Sequence, residues 1–256
     1  MSSTYIAGSI SDADKFLPHL FVSDEVKDAT MSATNASATS IAVQTMTTYS
    51  RWTPSVGATI TATFSGAKAI DYAAIYVTAS AGTYTLEWYN GSSWAAIGSA
   101  LSRTGAGCVA WVFASVSASA IRIVCSSTPS IAVFKAGTRI KIPVGIGVGY
   151  EPSLYNPTEK LTNTISVTGQ ILGTQIESAR IEESLTFDVI DPDWIASNWM
   201  TIRSLMRTVG VFFAWNLKDF SDHVIYGAVV GDPSASFSQI DAMKVSLRLE
   251  GPKHVL

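Results

Sequence analysis

Charge is what this sequence has least of. Asp, Glu, Lys and Arg make up 14% of its 256 residues, against roughly 25% in ordinary soluble domains. The net charge is −3 and the basic residues form no cluster, so the chain lacks the electrostatic footprint of a nucleic-acid binder. Cysteine is scarce as well. Cys108 and Cys125 stand on separate strand-like runs; they can be neighbours in one sheet, and the simpler reading is two small buried hydrophobes in a reducing compartment. With three scattered histidines they make no metal pattern. No run approaches the about 18 apolar residues of a membrane-spanning helix. The start, MSSTYIAGSISDADKF, has no basic region followed by an apolar stretch, so no signal peptide is expected. Asn35-Ala36-Ser37 and Asn90-Gly91-Ser92 match the glycosylation pattern, by chance if the chain is not secreted. A Gly-x-Ser-x-Gly nucleophile elbow is missing too.

Ser, Thr, Ala and Gly fill the place of the missing charges, while 47% of residues are hydrophobic. A surface so thinly charged suits a subunit whose faces are covered by neighbours better than a free monomer. Residues 1–40 read as an irregular arm and loop. Phe16–Val22, FLPHLFV, is an apolar patch that either docks on another surface or forms a first strand, and Thr30–Ser40 is small and polar. Strand signals begin at Ile41–Met46, IAVQTM. Ala58–Phe64 alternates with a period of two. Ile70–Thr78, IDYAAIYVT, is apolar on both faces. Thr83–Tyr89 alternates again and runs into Asn90-Gly91, a hairpin turn whose two positions need φ > 0. SSWAAIG returns, and Val109–Ser115, Ala120–Cys125, Ile131–Phe134 and Thr138–Ile142 follow. Short, evenly spaced strands without a helix between them imply a β-sandwich or jelly roll over residues 41–143.

Gly145, Gly147 and Gly149 form G-x-G-x-G, but a phosphate-binding loop must open a helix, and Pro152 and Pro157 keep this stretch extended. These glycines fit close backbone approach or a bent strand, at a flexible seam between two units. Over residues 144–256, Thr162–Leu172 alternates with Ile165, Val167 and Gly169 on one face, Gly173 breaks it, and in Arg180–Val189 the residues Leu185, Phe187 and Val189 share a face. Asp191-Pro192-Asp193 starts a helix, 191–209, with Ile195, Trp199, Ile202 and Met206 at helical spacing, Arg203 and Arg207 near its end and Gly210 as its stop. Val211–Asn216, His223–Val230 (closed by Gly231-Asp-Pro) and Ala242–Glu250 are further strands. Glu182, Glu183, Asp188, Asp191 and Asp193 are acidic, yet alternation and capping place them on different faces or in a cap, solvated and not a hydrolytic pair. The expectation is no catalytic residue, no cofactor and no metal: not an enzyme.

Two resemblances enter on these motifs. "IDYAAIYV…GTYTLEWYNGSSWAAI", then AIRIV and IAVFKAG, resembles the discoidin/galactose-binding jelly roll over roughly residues 41–142. Many such modules bind sugars through loop aromatics, which makes Trp52, Tyr89 and Trp94 the candidate glycan contacts. Trp52, beside Arg51 and before Pro54, is expected to be the most exposed; Trp88 and Trp94 read first as strand packing. "GYEPSLYNP", "SVTGQILG", "RIEESLTFDVID–helix–GVFFAWN" and "KVSLRLEG" are similar to the ring-forming belt of distal tail (baseplate hub) proteins of long-tailed phages, over about residues 144–256. The expected fold class is mainly β: a sandwich, then an antiparallel β domain with one amphipathic helix. That resemblance implies a virion structural protein assembled in the host cytoplasm. It implies a homo-oligomeric ring, six-fold by the family's symmetry, that joins tail tube to tail tip, with tape-measure and tip proteins as partners and a host surface glycan as a further one. The family's best-known members place the belt first, so the order here looks reversed, or the N-terminal arm contributes to the belt.

Overall fold

The computed structural model describes residues 3–34, 40–45, 47–53, 55–79, 81–128, 130–147, 149–155, 157–208 and 210–252; Asn35-Ala36-Ser37 lies outside them. The chain opens with β1 (Thr4–Ile6), α1 (Asp12–Phe16) and β2 (His19–Phe21). The sandwich elements follow: β3 (Thr30–Ala33), a 3-10 turn (Ser40–Gln44), β4 (Thr59–Ala79), β5 (Gly82–Tyr89), β6 (Trp94–Ala96), β7 (Leu101–Arg103), β8 (Gly107–Cys125) and β9 (Ser130–Gly137). The chain closes with β10 (Ile140–Lys141), β11 (Thr158–Ile165), β12 (Ile171–Ile190), α2 (Pro192–Thr208), β13 (Val211–Ala214), β14 (Val224–Gln239) and β15 (Ala242–Pro252). The protein is mainly β, a sandwich joined to an antiparallel sheet that carries one long helix.

Two long strands make the sandwich. β4 and β8 pair antiparallel at both of their ends, and their pairing breaks between Thr63 and Lys68. One half of the pair joins β3, β5 and β6; the other joins β9 and β1. The sheet thus turns a corner and closes over its own core, where Ile60, Ile75, Leu86, Trp111, Ile123 and Phe134 meet. Alternation explains the rest. In the apolar run of β4, Ala73, Ile75 and Val77 face that core while Tyr72, Ala74 and Tyr76 face the opposite way. A strand buried on both faces needs a third layer, and the second sheet supplies it.

That sheet runs β10-β2-β13-β14-β15-β12-β11. Phe21, Phe212, Ala214, Val224 and Tyr226 on one face pack against Tyr72, Tyr76, Cys108 and Val133 of the sandwich. On the other face Phe187, Phe213, Val245 and Leu247 receive Ile195, Trp199, Ile202 and Met206 of α2. Four layers result: two of the sandwich, the second sheet, and the helix. Asp191 caps α2 by accepting from Asp193 N at 2.8 Å, and Gly210 follows where a Cβ would stand 2.1 Å from the Tyr226 hydroxyl.

A buried polar contact spans the junction. Lys135 on β9 donates to the Gly210 carbonyl and lies 3.7 Å from Asp24 Oδ2, with the two side chains 1% and 6% exposed. Asp24 also accepts from the backbone N–H of Val26 and Lys27. Burial holds Asp24 up to about 6, against the pull of Lys135, and brings Lys135 down to about 8, against the pull of Asp24.

Several sequence expectations are corrected. The first 40 residues divide between the units: β2 pairs with β13 in the second sheet, and Thr30–Ala33 is an edge strand on β4 rather than loop. Ser40–Gln44 is a 3-10 turn, because the Gln44 amide donates to the carbonyls of Val26, Lys27 and Ala29. The glycine stretch lies against β12: Gly147 N donates to Thr186 O at 3.0 Å, and a Cβ on Gly147 would meet that oxygen at 3.3 Å. Ile146, Tyr150 and Leu154 pack on the second core, so the stretch is docked and is not a free hinge. Gly169 sits in a turn at φ +83 that ends β11 at Ile165, and Gly173 lies inside β12. A register shift between Phe187 and Ile190 turns Val189 outward, 56% exposed at φ +62, and buries Ile190 instead. β14 does not close at Gly231-Asp-Pro; it runs on to Gln239 through a bulge there.

Candidate functional site

The aromatic residues nominated for sugar contact separate on folding. Trp52 is fully buried, with its backbone bridged to Ile131 on the sandwich edge, Trp52 N to Ile131 O at 2.8 Å. The expectation that it is exposed is wrong: Trp52 fills the sandwich core. Tyr89 and Trp94 do come together. They are directly paired across the β5–β6 hairpin, with rings 5.4 Å apart. The Asn90-Gly91 turn holds them, with Asn90 Oδ1 accepting from the N–H of Ser92 and Ser93 and Gly91 at φ +99. Arg122 on the neighbouring strand lies 4.2 Å over the Trp94 ring and forms an ion pair with Glu87 at 2.6 Å. The result is a half-buried platform of two rings and one charge pair on the outer sheet. Arg122 covers one face of Trp94, which leaves Tyr89 and the Trp94 edge for a ligand. Arg122 and Glu87 escaped the sequence reading; their register on β8 and β5, Glu87↔Arg122, is the signal that brings them in.

The acidic residues are scattered. Glu182 pairs with Arg180 at 2.6 Å and Arg248 at 2.7 Å. Asp188 is 3.9 Å from Lys244, and Asp191 is the helix cap. Glu183, expected to be solvated, is 1% exposed and accepts from Ser153 N at 2.8 Å. Plain alternation explains this: the register with β15 is unbroken from Arg180 to Phe187, and Glu183 shares the inward face with Ile181, Leu185 and Phe187. Burial raises its pKa against the Ser153 and Tyr150 hydrogen bonds. Its role is to tie the 150–154 segment to β12. Among the described residues no three His, Cys, Asp or Glu side chains are grouped to hold a metal ion.

The strongest surface feature is elsewhere. Among the described residues β11 pairs with β12 alone, and β15 joins β12 only from Arg180 onward. From Lys160 to Ser178 the hairpin therefore stands clear of the sheet as a two-stranded arm. Cross-strand pairs set its faces: Leu161↔Ile176, Asn163↔Thr174 and Ile165↔Ile171 share one, while Thr162↔Gln175 and Thr164↔Gly173 share the other. The polar face carries a Lys160–Glu177 ion pair and a Thr162–Glu177 hydrogen bond. The apolar face exposes Leu161, Ile165, Ile171 and Ile176 at 52–69%, with Leu172 and Val167 beside them at 66% and 108%. Isolated two-stranded hairpins are marginal in water, and apolar patches beyond a few hundred Å² mark interaction sites.

No family model matches the chain, and no curated protein matches it. Among solved structures it is similar to chitosan-binding module 1 from a Paenibacillus sp. IK-5 chitosanase/glucanase, with 14% identity, 45% of this chain and 99% of that one covered, and a TM-score of 0.39. A pectin binding carbohydrate binding module aligns at 12% identity over 43% and 89%, TM-score 0.38. CpGH89CBM32-5 of Clostridium perfringens, solved with GalNAc-β-1,3-galactose, aligns at 14% over 45% and 100%, TM-score 0.41. At identities and scores this low the likeness assigns this chain no ligand.

Proposed function

We propose that this chain is a non-enzymatic structural subunit that assembles with copies of itself through its second sheet and carries the sandwich as an outward module. The observation that carries this reading is the amphipathic arm at 160–178, whose apolar face has no cover among the described residues. The low charge density supports it. The finer reading is a ring in the tail of a long-tailed phage, joining tail tube to tail tip. Support for it is the sequence resemblance of residues 144–256, together with the place of β2. Because β2 lies in the second sheet, that unit takes a strand from ahead of the long sandwich strands β4 and β8 as well as those after them, which eases the reversed order. Purified protein viewed in negative stain should give ring-shaped particles, six-fold if the resemblance holds in detail. A clean monomer by light scattering across a wide concentration range refutes assembly. Antibody against the chain that fails to label the tail tip of the encoding virion refutes the placement.

The Tyr89–Trp94 platform favours a second reading, carbohydrate binding by the outward module, which is compatible with the first. Rings presented beside a charge pair suit stacking on a sugar with hydrogen bonds at its rim. Glycan-array binding by the intact protein should disappear in both Tyr89→Ala and Trp94→Ala. Binding that survives both changes, or no binding to any surface glycan, sinks this reading.

A further inference from the structure

We infer that Tyr155, Phe220 and His223, beside the turn between β13 and β14, form a binding site for a quaternary ammonium group. The site is separate from the sandwich platform and does not depend on assembly. A chain of ring contacts leads to it across the end of the second sheet. Tyr150 meets Trp215 edge-on at 5.7 Å, and Phe220 stacks on Trp215 at 4.5 Å. His223 follows Phe220 at 5.1 Å, and Tyr155 meets His223 at 5.0 Å. The inner end of this chain belongs to the fold, because Tyr150 and Trp215 pack on the second core. The outer end faces water, with Tyr155 54% and Phe220 37% exposed.

Both sides of the site are fixed before a ligand arrives. Asn216 Oδ1 accepts from the N–H of Lys218 at 2.9 Å and of Asp219 at 3.0 Å. Phe220 N then donates to Asn216 O, and His223 N to Phe220 O. Opposite them, the buried Glu183 carboxylate holds Ser153 N at 2.8 Å, and Tyr155 N donates to Pro152 O at 3.1 Å. The Tyr155 hydroxyl lies 3.0 Å from His223 Nε2 and joins the two sides. Little ordering is left for a ligand to supply.

Shape and charge choose the ligand. The Tyr155 ring stands at 75° to His223, whereas Phe220 is tilted from it by only 34°. One ring makes a wall and two make a floor. A flat sugar ring stacks on a flat platform; a right-angled corner suits a compact tetrahedral head that turns methyl groups to wall and floor together. Asp219 and Asp222 place carboxylates on the same turn. Its lysine, Lys218, is drawn off to Asp12 at 2.8 Å and to the Phe16 ring. Burial lowers the His223 pKa against the pull of Asp222, so the imidazole is uncharged near pH 7.5 and does not repel a cation. Ring faces attract cations within about 6 Å of their centres, and a quaternary head, having no N–H, needs only such faces and distant carboxylates.

The test uses the full chain and ligand-observed NMR, with saturation transferred from protein to the ligand's methyl protons. Choline and tetramethylammonium should both bind, more weakly as salt rises. The uncharged isostere 3,3-dimethylbutanol should not bind. Tyr155→Ala and Phe220→Ala, both at exposed rings, should each weaken choline binding about threefold or more, with circular dichroism unchanged. Should either variant fail to fold, Asp219→Asn serves in its place; it keeps the acceptor for Asn216 and should also weaken binding. Absence of choline binding overturns the inference. So does equal binding of the uncharged isostere, which means an apolar patch only. Competition by galactose or glucose makes this a sugar site instead, and a lysine or arginine peptide that binds where choline does not makes it a protein contact; either result overturns the assignment. Choline binding that survives both ring changes places the cation elsewhere and overturns it as well.

Discussion

Lys135→Met keeps the length and apolar bulk of a buried side chain and removes its charge. In the native protein Nζ donates to the Gly210 carbonyl and faces Asp24, both side chains being almost fully buried. Removing one partner of a buried pair costs about 3–5 kcal/mol, and the cost here has two parts. The unpaired Gly210 carbonyl contributes about 1–3 kcal/mol at any pH. The remainder belongs to Asp24, which loses its neighbouring cation and titrates. Burial already lifts Asp24 from 3.8 to about 6. A folded pKa above the unfolded one means that the folded state holds a proton the unfolded chain has released. The stability from this group is full below about 4 and falls as pH rises to about 6. Without Lys135 the folded pKa rises further and the fall continues beyond that point. Lys135 itself, at about 8, stays charged through this window in the native protein, so the comparison reads Asp24. Urea unfolding followed by tryptophan fluorescence should show the variant less stable by about 3–5 kcal/mol near pH 7.5 and by only about 1–3 kcal/mol near pH 5. An equal penalty at both pH values, or one under about 1 kcal/mol, refutes the reasoning. Adding Asp24→Asn, which retains the acceptor for Val26 and Lys27, should recover stability near pH 7.5; a further loss instead counts against a charge-based cost.

Trp199→Ala empties a site against the second core, where the side chain is 6% exposed, and should cost about 3–5 kcal/mol in urea unfolding; a loss under about 1 kcal/mol means the helix is not seated there. Gly251→Ala places a Cβ 2.0 Å from the Tyr226 carbonyl oxygen, a backbone atom with no freedom to swing away, so a loss of about 1–3 kcal/mol or more is expected and an unchanged midpoint contradicts the β14–β15 approach. Cys108 and Cys125 are thiols buried at the two ends of β8 and not joined in a disulfide, and burial pushes both thiols up, Cys125 to about 12. Neither should react with a thiol reagent at neutral pH until the protein unfolds; rapid labelling of the native protein disproves their burial.

The sequence was most legible where a local rule and a global need agreed. Asp191-Pro192-Asp193, the apolar spacing of Ile195, Trp199, Ile202 and Met206, and Gly210 describe a helix by capping and period alone, and all four apolar residues are the buried ones. The double-sided burial of Ile70–Thr78 was readable because an unbroken β-branched and aromatic run has no face to give to water. Asn90-Gly91 marked the place of the turn, although only Gly91 takes a positive φ and the loop runs over 90–93 before Trp94 pairs with Tyr89. These depend on residues within one or two turns of each other, so composition and spacing contain the answer.

Other features depended on partners far along the chain. Nothing in HLF says that β2 pairs with β13, nearly two hundred residues on; two apolar faces had to meet before its place was decided. Trp52 looked exposed beside Arg51 and Pro54, but core volume beneath Ile131 claimed it. Val189 and Ile190 exchanged sides because a single bulge shifts every later side chain to the other face. The arm shows the division most clearly. Its alternation of Ile and Thr was visible as a strand with one apolar side, which ordinarily marks a core. Only the tertiary structure shows that, among the described residues, β15 pairs with β12 no further than Arg180, so that this apolar side is exposed instead of joining a core.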